Sequence, residues 1–334
     1  MAFEQTIQQI KEIINQKLAP GLDYFVMEHG QIIADETVGY AQLNPSKIEL
    51  KQNQLFDVAS LTKIMGTVPV IMQLIEENKV ALDDRVSEFL PQIKDDRVLI
   101  RHLVTHTSGV EGWIENRDEL NASELREALY ESISFGAWFN KKVVYNDYNF
   151  LLLGFIAERI LHQPIQNLIQ TSILNELGLS EATFKPSPLK TVSTEVRNDI
   201  TTRGLVHDPK AFSLKEHSGS AGLFAIKSDL LVFIQWMLGL NTDKSPLTQQ
   251  TMDLFDSNQT ANPDLSRSMG WAIEQSGEGN MILRHSGFTG TFILLDRKTK
   301  NAVVVLTNRV HPAPNIDFLT LRQQIYGTFA REDK

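Results

Sequence analysis

The stretch "LFDVASLTKIMG", residues 55–66, sets Ser60 three residues before Lys63 where an extended segment runs into an apolar stretch. One helical turn separates the pair, so hydroxyl and amine share a face and can come within hydrogen-bonding reach. The start of a helix also favours developing negative charge. A helix cap followed by a solvated lysine would read the same way. Ser187 and Lys190 in "KPSPLKTVS" repeat the spacing, but prolines there break helical geometry and no apolar helix follows. After Ser60, by contrast, "LTKIMGTVPVIMQLIEENK" is apolar on nearly every side, which predicts a helix buried at the centre of a domain and kinked at Pro69.

Upstream of this helix, Phe3, Ile7, Ile10, Ile14 and Leu18 recur every three or four residues. That spacing predicts an amphipathic helix, in contrast to the continuous apolar stretch of a signal peptide. "GLDYFVMEHGQIIADETVGYA" alternates around Gly30 as a hairpin does. Between about 80 and 260 the patterns are helical, as in "DYNFLLLGFIAERILH" and "SDLLVFIQWML". From about 268 they turn strand-like in "MGWAIEQ", "NMILRHSG", "TGTFILLD" and "NAVVVLTN", before a last helix in "DFLTLRQQIYGTFA". An antiparallel sheet drawn from both chain ends, with helices inserted between, follows. The expected division is an α/β domain of residues 1–63 and 265–334 and a helical domain of residues 64–264.

Composition narrows the chemistry. With 334 residues and 42% hydrophobic content the chain can bury a large core. The 41 acidic against 32 basic residues, net charge −9, give no footprint for nucleic acid. The absence of cysteine rules out disulfides and thiolate catalysis. No run approaches eighteen apolar residues, so no membrane span is expected. Together with the amphipathic N-terminus, this leads to the expectation of a cytoplasmic protein.

Two further motifs can join Ser60 and Lys63. In "KKVVYNDYNFLLLG", Tyr145 precedes a helix for which Asp147 stands at the cap position, while Tyr148 would lie inside the first turn. A tyrosine held there can shuttle a proton, though an ordinary buried tyrosine fits as well. In "LRHSGFTGTF", His285 lies near a strand end and Gly287 lets a ligand approach the backbone. His102 and His106 are spaced as helical metal ligands can be, but lack a third ligand and an intervening glutamate; local hydrogen bonding is expected, with no metal and no cofactor. His207 and Asp208 read as a loop-stabilising pair. The nucleophile elbow G-x-S-x-G is absent, the nearest string being "SGSAG" at 218–222.

In their order, Ser60-x-x-Lys63, Tyr145-x-Asp147 and His285-x-Gly287 resemble the motifs of the serine β-lactamase and penicillin-binding-protein superfamily, and within it the class C-like branch of esterases, D-peptidases and class C β-lactamases. "LDDRVSEFLPQI", "IRHLVTHTSGV", "GLVHDPKAF", "SGSAGLFAIKSDLLVFIQWML" and "LTNRVHP" extend the resemblance over roughly residues 20–330. It implies a β-lactamase/transpeptidase-like fold, α/β plus all-α, and a hydrolase that forms an acyl-enzyme on Ser60. Lys63 and Tyr145 would manage the proton, with Lys63 kept partly neutral by burial away from carboxylates. Asp147, His285 and Gly287 would support them, and the backbone N–H groups of Ser60 and Phe288 would form the oxyanion hole. Trp113 and Arg309 are candidate pocket walls. His285 stands where β-lactamases carry the lysine of K-T-G, Asp147 where they carry asparagine, and Ser220 where close relatives often read G-H-A-G. The histidine looks like the esterase and D-aminopeptidase members. The expected substrate is therefore a small neutral short-chain ester, with a D-amino-acid peptidase or amidase, a class C-like β-lactamase and a non-hydrolytic penicillin-binding protein as alternatives.

Overall fold

Alternation of apolar residues in the two chain ends builds one seven-stranded antiparallel sheet in the computed structural model, which describes residues 3–197, 199–241 and 243–334. Its strands are β1 (Gly21–Glu28), β2 (Gln31–Gln42), β3 (Ile48–Glu49), β4 (Ala272–Gln275), β5 (Met281–Ser286), β6 (Phe292–Asp296) and β7 (Asn301–Thr307), in the order β4-β5-β6-β7-β1-β2-β3. The ends meet where Phe25 of β1 faces Val304 of β7. Side chains alternate across the sheet. Tyr24, Val26, Ile282, Leu294 and Val303 face one layer, formed with helix α1 (Glu4–Asn15) and the C-terminal helix. Phe25, Leu283, Ile293, Leu295 and Val304 join the larger core that the inserted helices complete.

Those inserted helices include α2 (Val68–Glu76), α3 (Tyr148–Leu161) and α4 (Lys227–Met237), while α5 (Asp317–Glu332) closes the chain against α1. Phe3 stacks on Phe329 at 5.0 Å between ring centroids, and Thr6 Oγ1 donates to Glu332 Oε2 at 2.7 Å. Each fully buried aromatic of this layer contributes about 1.5–3 kcal/mol. The predicted kink at Pro69 is not a break in mid-helix. Pro69 sits in the first turn of α2, where its missing N–H is tolerated, and the chain before it, Lys63–Thr67, winds as a wide π-type turn. Gly66 in that turn packs so closely that a Cβ would lie 2.7 Å from Ile169 Cγ2. All strands of the large sheet fall in residues 21–49 and 272–307. On that basis we propose the division at about residues 63 and 265 as the domain organisation.

Candidate active site

A short antiparallel pair, Phe56–Asp57 with Phe224–Ala225, carries the chain to Ser60. The buried Asp57 carboxylate pins the turn, with Oδ1 accepting from Ala59 N at 2.8 Å and Oδ2 from His207 N at 2.7 Å. Burial pushes the Asp57 carboxyl up to about 6 against those two hydrogen bonds. Ala59 is held at φ +48°, left-handed backbone that an alanine rarely adopts, and Thr62 Oγ1 donates to its carbonyl at 2.6 Å. Thr289 Oγ1 donates to Asp57 O at 2.7 Å and Thr291 Oγ1 to Val58 O at 3.1 Å. The turn after β5 is thereby docked beside Ser60. Neither the Ser60 nor the Phe288 backbone N–H has an acceptor among the described residues.

Gly287 permits that docking. A Cβ there would lie 2.3 Å from Thr291 Oγ1 and 2.6 Å from Val58 O. Gly287→Ala is expected to destabilise the fold by about 1–3 kcal/mol and to lower kcat more than it raises KM, because the obstructing backbone lies one residue before Ala59. Urea unfolding together with steady-state kinetics checks both effects.

Lys63 lies behind Ser60, fully buried, and spends its three donors on Ser60 Oγ at 2.8 Å, Asp147 Oδ1 at 2.8 Å and Ser220 O at 2.9 Å. The expectation of a partly neutral lysine away from carboxylates is corrected here. Burial pulls the ammonium down, but Asp147 and Tyr145 beside it outweigh burial and hold its pKa above the ordinary lysine value. Asp147 stands at the N-cap position of α3 as expected, but its side chain makes no capping hydrogen bond. Asn146 Oδ1 accepts from Tyr148 N at 2.9 Å instead, and the Asp147 carboxylate turns to Lys63 and to Lys210 Nζ at 3.0 Å. Burial would raise that carboxyl, yet the two ammonium groups hold it well below the usual carboxylate range.

Removing this carboxylate would strand a buried cation. Asp147→Ala is expected to cost about 3–5 kcal/mol at pH 7. Asp147 has its pKa lowered by folding and Lys63 has its pKa raised. The stabilisation is therefore present above the unfolded aspartate pKa of about 4 and below the unfolded lysine pKa of about 10, and is lost as pH falls through the folded Asp147 value or rises through the folded Lys63 value. Urea unfolding of wild type and variant should show a constant gap between about pH 5 and 9 that narrows in acid.

Tyr145 stands half exposed over the pair, its ring centroid 5.2 Å from Lys63 Nζ and 4.4 Å from the ring of His106. His106 is buried between Tyr145 and Phe150 and takes a hydrogen bond from Asn149 Nδ2 at 3.0 Å through Nδ1. His102 Nδ1 likewise accepts from Leu99 N at 3.1 Å. Among the described residues no cluster of three or more His, Asp or Glu is placed to hold a metal. Tyr148 is buried in the large core. His285 is buried with both ring nitrogens unpartnered; burial first, then Lys63, Arg267 and Arg284, hold its pKa well below the ordinary histidine value.

These groups meet at a cavity of about 520 Å³ whose lining includes Ser60, Tyr145, Asp147, His285, Gly287, Phe288 and Arg309. Trp113 does not reach it. The residue follows the short strand Val110–Glu111, paired with Ser134–Phe135, which carries it to the surface, 75% exposed, with the Arg117 guanidinium 5.6 Å from its ring. His207 and Asp208 lie at the rim: His207 Nε2 is 3.3 Å from Glu195 Oε2, and Asp208 Oδ1 caps the turn of helix beginning at Pro209 by accepting from Ala211 N at 2.8 Å.

Four cations of the lining were not among the candidate residues: Lys210, Arg267, Arg284 and Arg322. Lys210 was readable as a charge within "GLVHDPKAF"; Arg267, between Ser266 and Ser268, and Arg322, between Leu321 and Gln323, carried no sequence signal. Arg267, 7% exposed, donates through Nη2 to Gly270 O at 2.8 Å while its Nε has no partner, and burial pulls its pKa down to about 10.

Comparison with known proteins places this geometry. The Beta-lactamase family matches residues 3–325. An N-acetylmuramyl-L-alanine amidase of Bacillus subtilis is 27% identical, covering 93% of this chain and 82% of its own. EstCE1, a hydrolase with promiscuous acyltransferase activity, superposes with TM-score 0.75 at 18% identity over 98% of this chain and 97% of its own. A β-lactamase/D-alanine carboxypeptidase from Pseudomonas syringae does so with TM-score 0.73 at 17% identity over 97% and 98%. The expectation of a cytoplasmic protein is overturned by these relatives, since the β-lactamases and D-alanine carboxypeptidases among them are periplasmic or secreted. Among the described residues no helix is long and apolar enough to cross a membrane. The chain belongs to the Beta-lactamase family and is a serine hydrolase of the group that unites β-lactamases, penicillin-binding proteins, D-alanine carboxypeptidases and esterases.

Proposed function

We propose that this enzyme is a D-amino-acid peptidase or amidase that acts on amides bearing a free carboxylate. The observation that carries the reading is Arg267, a buried guanidinium with an unpartnered Nε that lines the cavity with His285. The chain's net charge is −9, so cations gathered at this one cavity favour an anionic substrate. The preference for neutral esters rested on the missing lysine at position 285, and Arg267 supplies a permanent charge beside that histidine. The amidase and D-alanine carboxypeptidase relatives support an amide as the bond cleaved.

In the proposed mechanism Ser60 Oγ attacks the carbonyl carbon, with the oxyanion held by the Ser60 and Phe288 N–H groups, each typically worth about 10²–10³-fold. Lys63, already protonated and donating to Ser60 Oγ, cannot take the serine proton. The Tyr145 hydroxyl relays it, its oxygen accepting the Ser60 proton as its own O–H proton is given up towards the leaving group. That proton reaches the departing nitrogen as the C–N bond breaks, and Tyr145 is left as the neutral phenol it was at the start. Water attacks the ester to Ser60 by the reverse relay and releases the acid. Asp147 keeps Lys63 charged and aimed.

The test compares kcat/KM for N-acetyl-D-alanyl-D-alanine, its C-terminal carboxamide, p-nitrophenyl acetate and nitrocefin. A charged hydrogen bond of about 1.5–3 kcal/mol predicts a preference of about 10–100-fold for the free carboxylate over the carboxamide, lost in Arg267→Gln. No discrimination between acid and carboxamide, with p-nitrophenyl acetate turned over best, would return the enzyme to the esterase reading.

A further inference from the structure

The same cavity is also lined by two further arginines, Arg309 and Arg322. Arg309 follows β7 and is 4% exposed; it spends Nη1 on Asn315 O at 3.2 Å, and its Nε has no partner. Arg322, from the second turn of α5, also has a buried Nε without a partner. Both line the cavity, together with Leu319 one turn before Arg322. Among the described residues neither arginine has a carboxylate partner. Arg284 nearby differs, since its Nε lies 2.8 Å from Glu274 Oε1. The Arg309 guanidinium is fixed by aromatic rings, its carbon 4.9 Å from the Phe288 centroid and 5.9 Å from that of Phe318. Burial, and then the Arg322 charge, pull Arg309 down to about 10.

Like charges whose Nε donors are buried and idle are costly unless an anion joins them. We infer that Arg309 and Arg322 form a second anion subsite, which takes a carboxylate or phosphate on the part of the substrate lying beside Phe288. The substrate would then be at least dianionic, with one anion near Arg267 and the other at this pair. This deepens the peptidase and amidase reading and rests on it for the first anion only.

Calorimetric titration of Ser60→Ala, which avoids turnover, separates the two ideas. The probes are N-acetyl-D-glutamate against N-acetyl-D-glutamine, and N-acetyl-O-phospho-D-serine against N-acetyl-D-serine, so that each pair differs only in the second anion. At least one charged member should bind about ten-fold or more tightly than its neutral partner, and which pair responds tells carboxylate from phosphate. Adding Arg322→Gln or Arg309→Gln should remove most of that preference, and Arg322→Lys should restore part of it. The subsite is refuted if neither charged probe is preferred, or if the preference survives both glutamine variants. Should the preference appear while N-acetyl-D-alanyl-D-alanine goes uncleaved, the subsite stands and the peptidase reading falls.

Discussion

Ser60→Ala is expected to lower kcat by about 10⁶-fold, the loss seen when a catalytic nucleophile is removed from a group that acts as a unit. Ser286 also lines the cavity, but among the described residues Ser60 Oγ is the one hydroxyl that Lys63 Nζ bonds. Ser187, in the repeated S-x-x-K, is the control. It is exposed before a single tight turn, and Lys190 Nζ reaches Glu181 Oε2 at 3.4 Å. Ser187→Ala should turn over substrate as wild type does. Substantial activity in Ser60→Ala would contradict the assignment.

Lys63→Met and Tyr145→Phe should each lower kcat/KM by about 10²–10⁴-fold, as expected for loss of a proton-transfer group. The two serve one event. Lys63 is the charged donor to Ser60 and Tyr145 the acceptor of its proton, so the double variant should be worse than the poorer single variant by no more than a small factor. Tyr148→Phe changes a residue buried in the core and should have little effect on rate. Kinetics on all four variants, with folding checked by urea unfolding, decides the matter. Losses that multiply would show that Lys63 and Tyr145 act independently.

Local pattern made much of this legible. The alternation in residues 21–41 and 281–307 announces strands, and the buried run after Ser60 announces the helix that presents it. Those signals work because burial imposes a period on the chain. Electrostatics carries no such period. Nothing near Lys63 in sequence shows that Asp147, 84 residues on, will face it at 2.8 Å and keep it charged. Lys210, Arg267 and Arg322 converge on the cavity from three separate segments, so the cationic character of the site is a property of the fold. Trp113 misled for the converse reason, since closeness in sequence to a motif loop does not fix which way a short strand sends its next residues. The cytoplasmic expectation failed because an amphipathic first helix describes packing against the sheet and holds no address.

The most direct measurement of the central claim is mass mapping of the protein after reaction with a fluorophosphonate, followed in parallel with residual activity. The account predicts one phosphonyl adduct per chain, on the peptide that contains Ser60, with activity lost in proportion to its formation. An adduct on Ser187 or any other residue, or full activity in protein modified at Ser60, would contradict it.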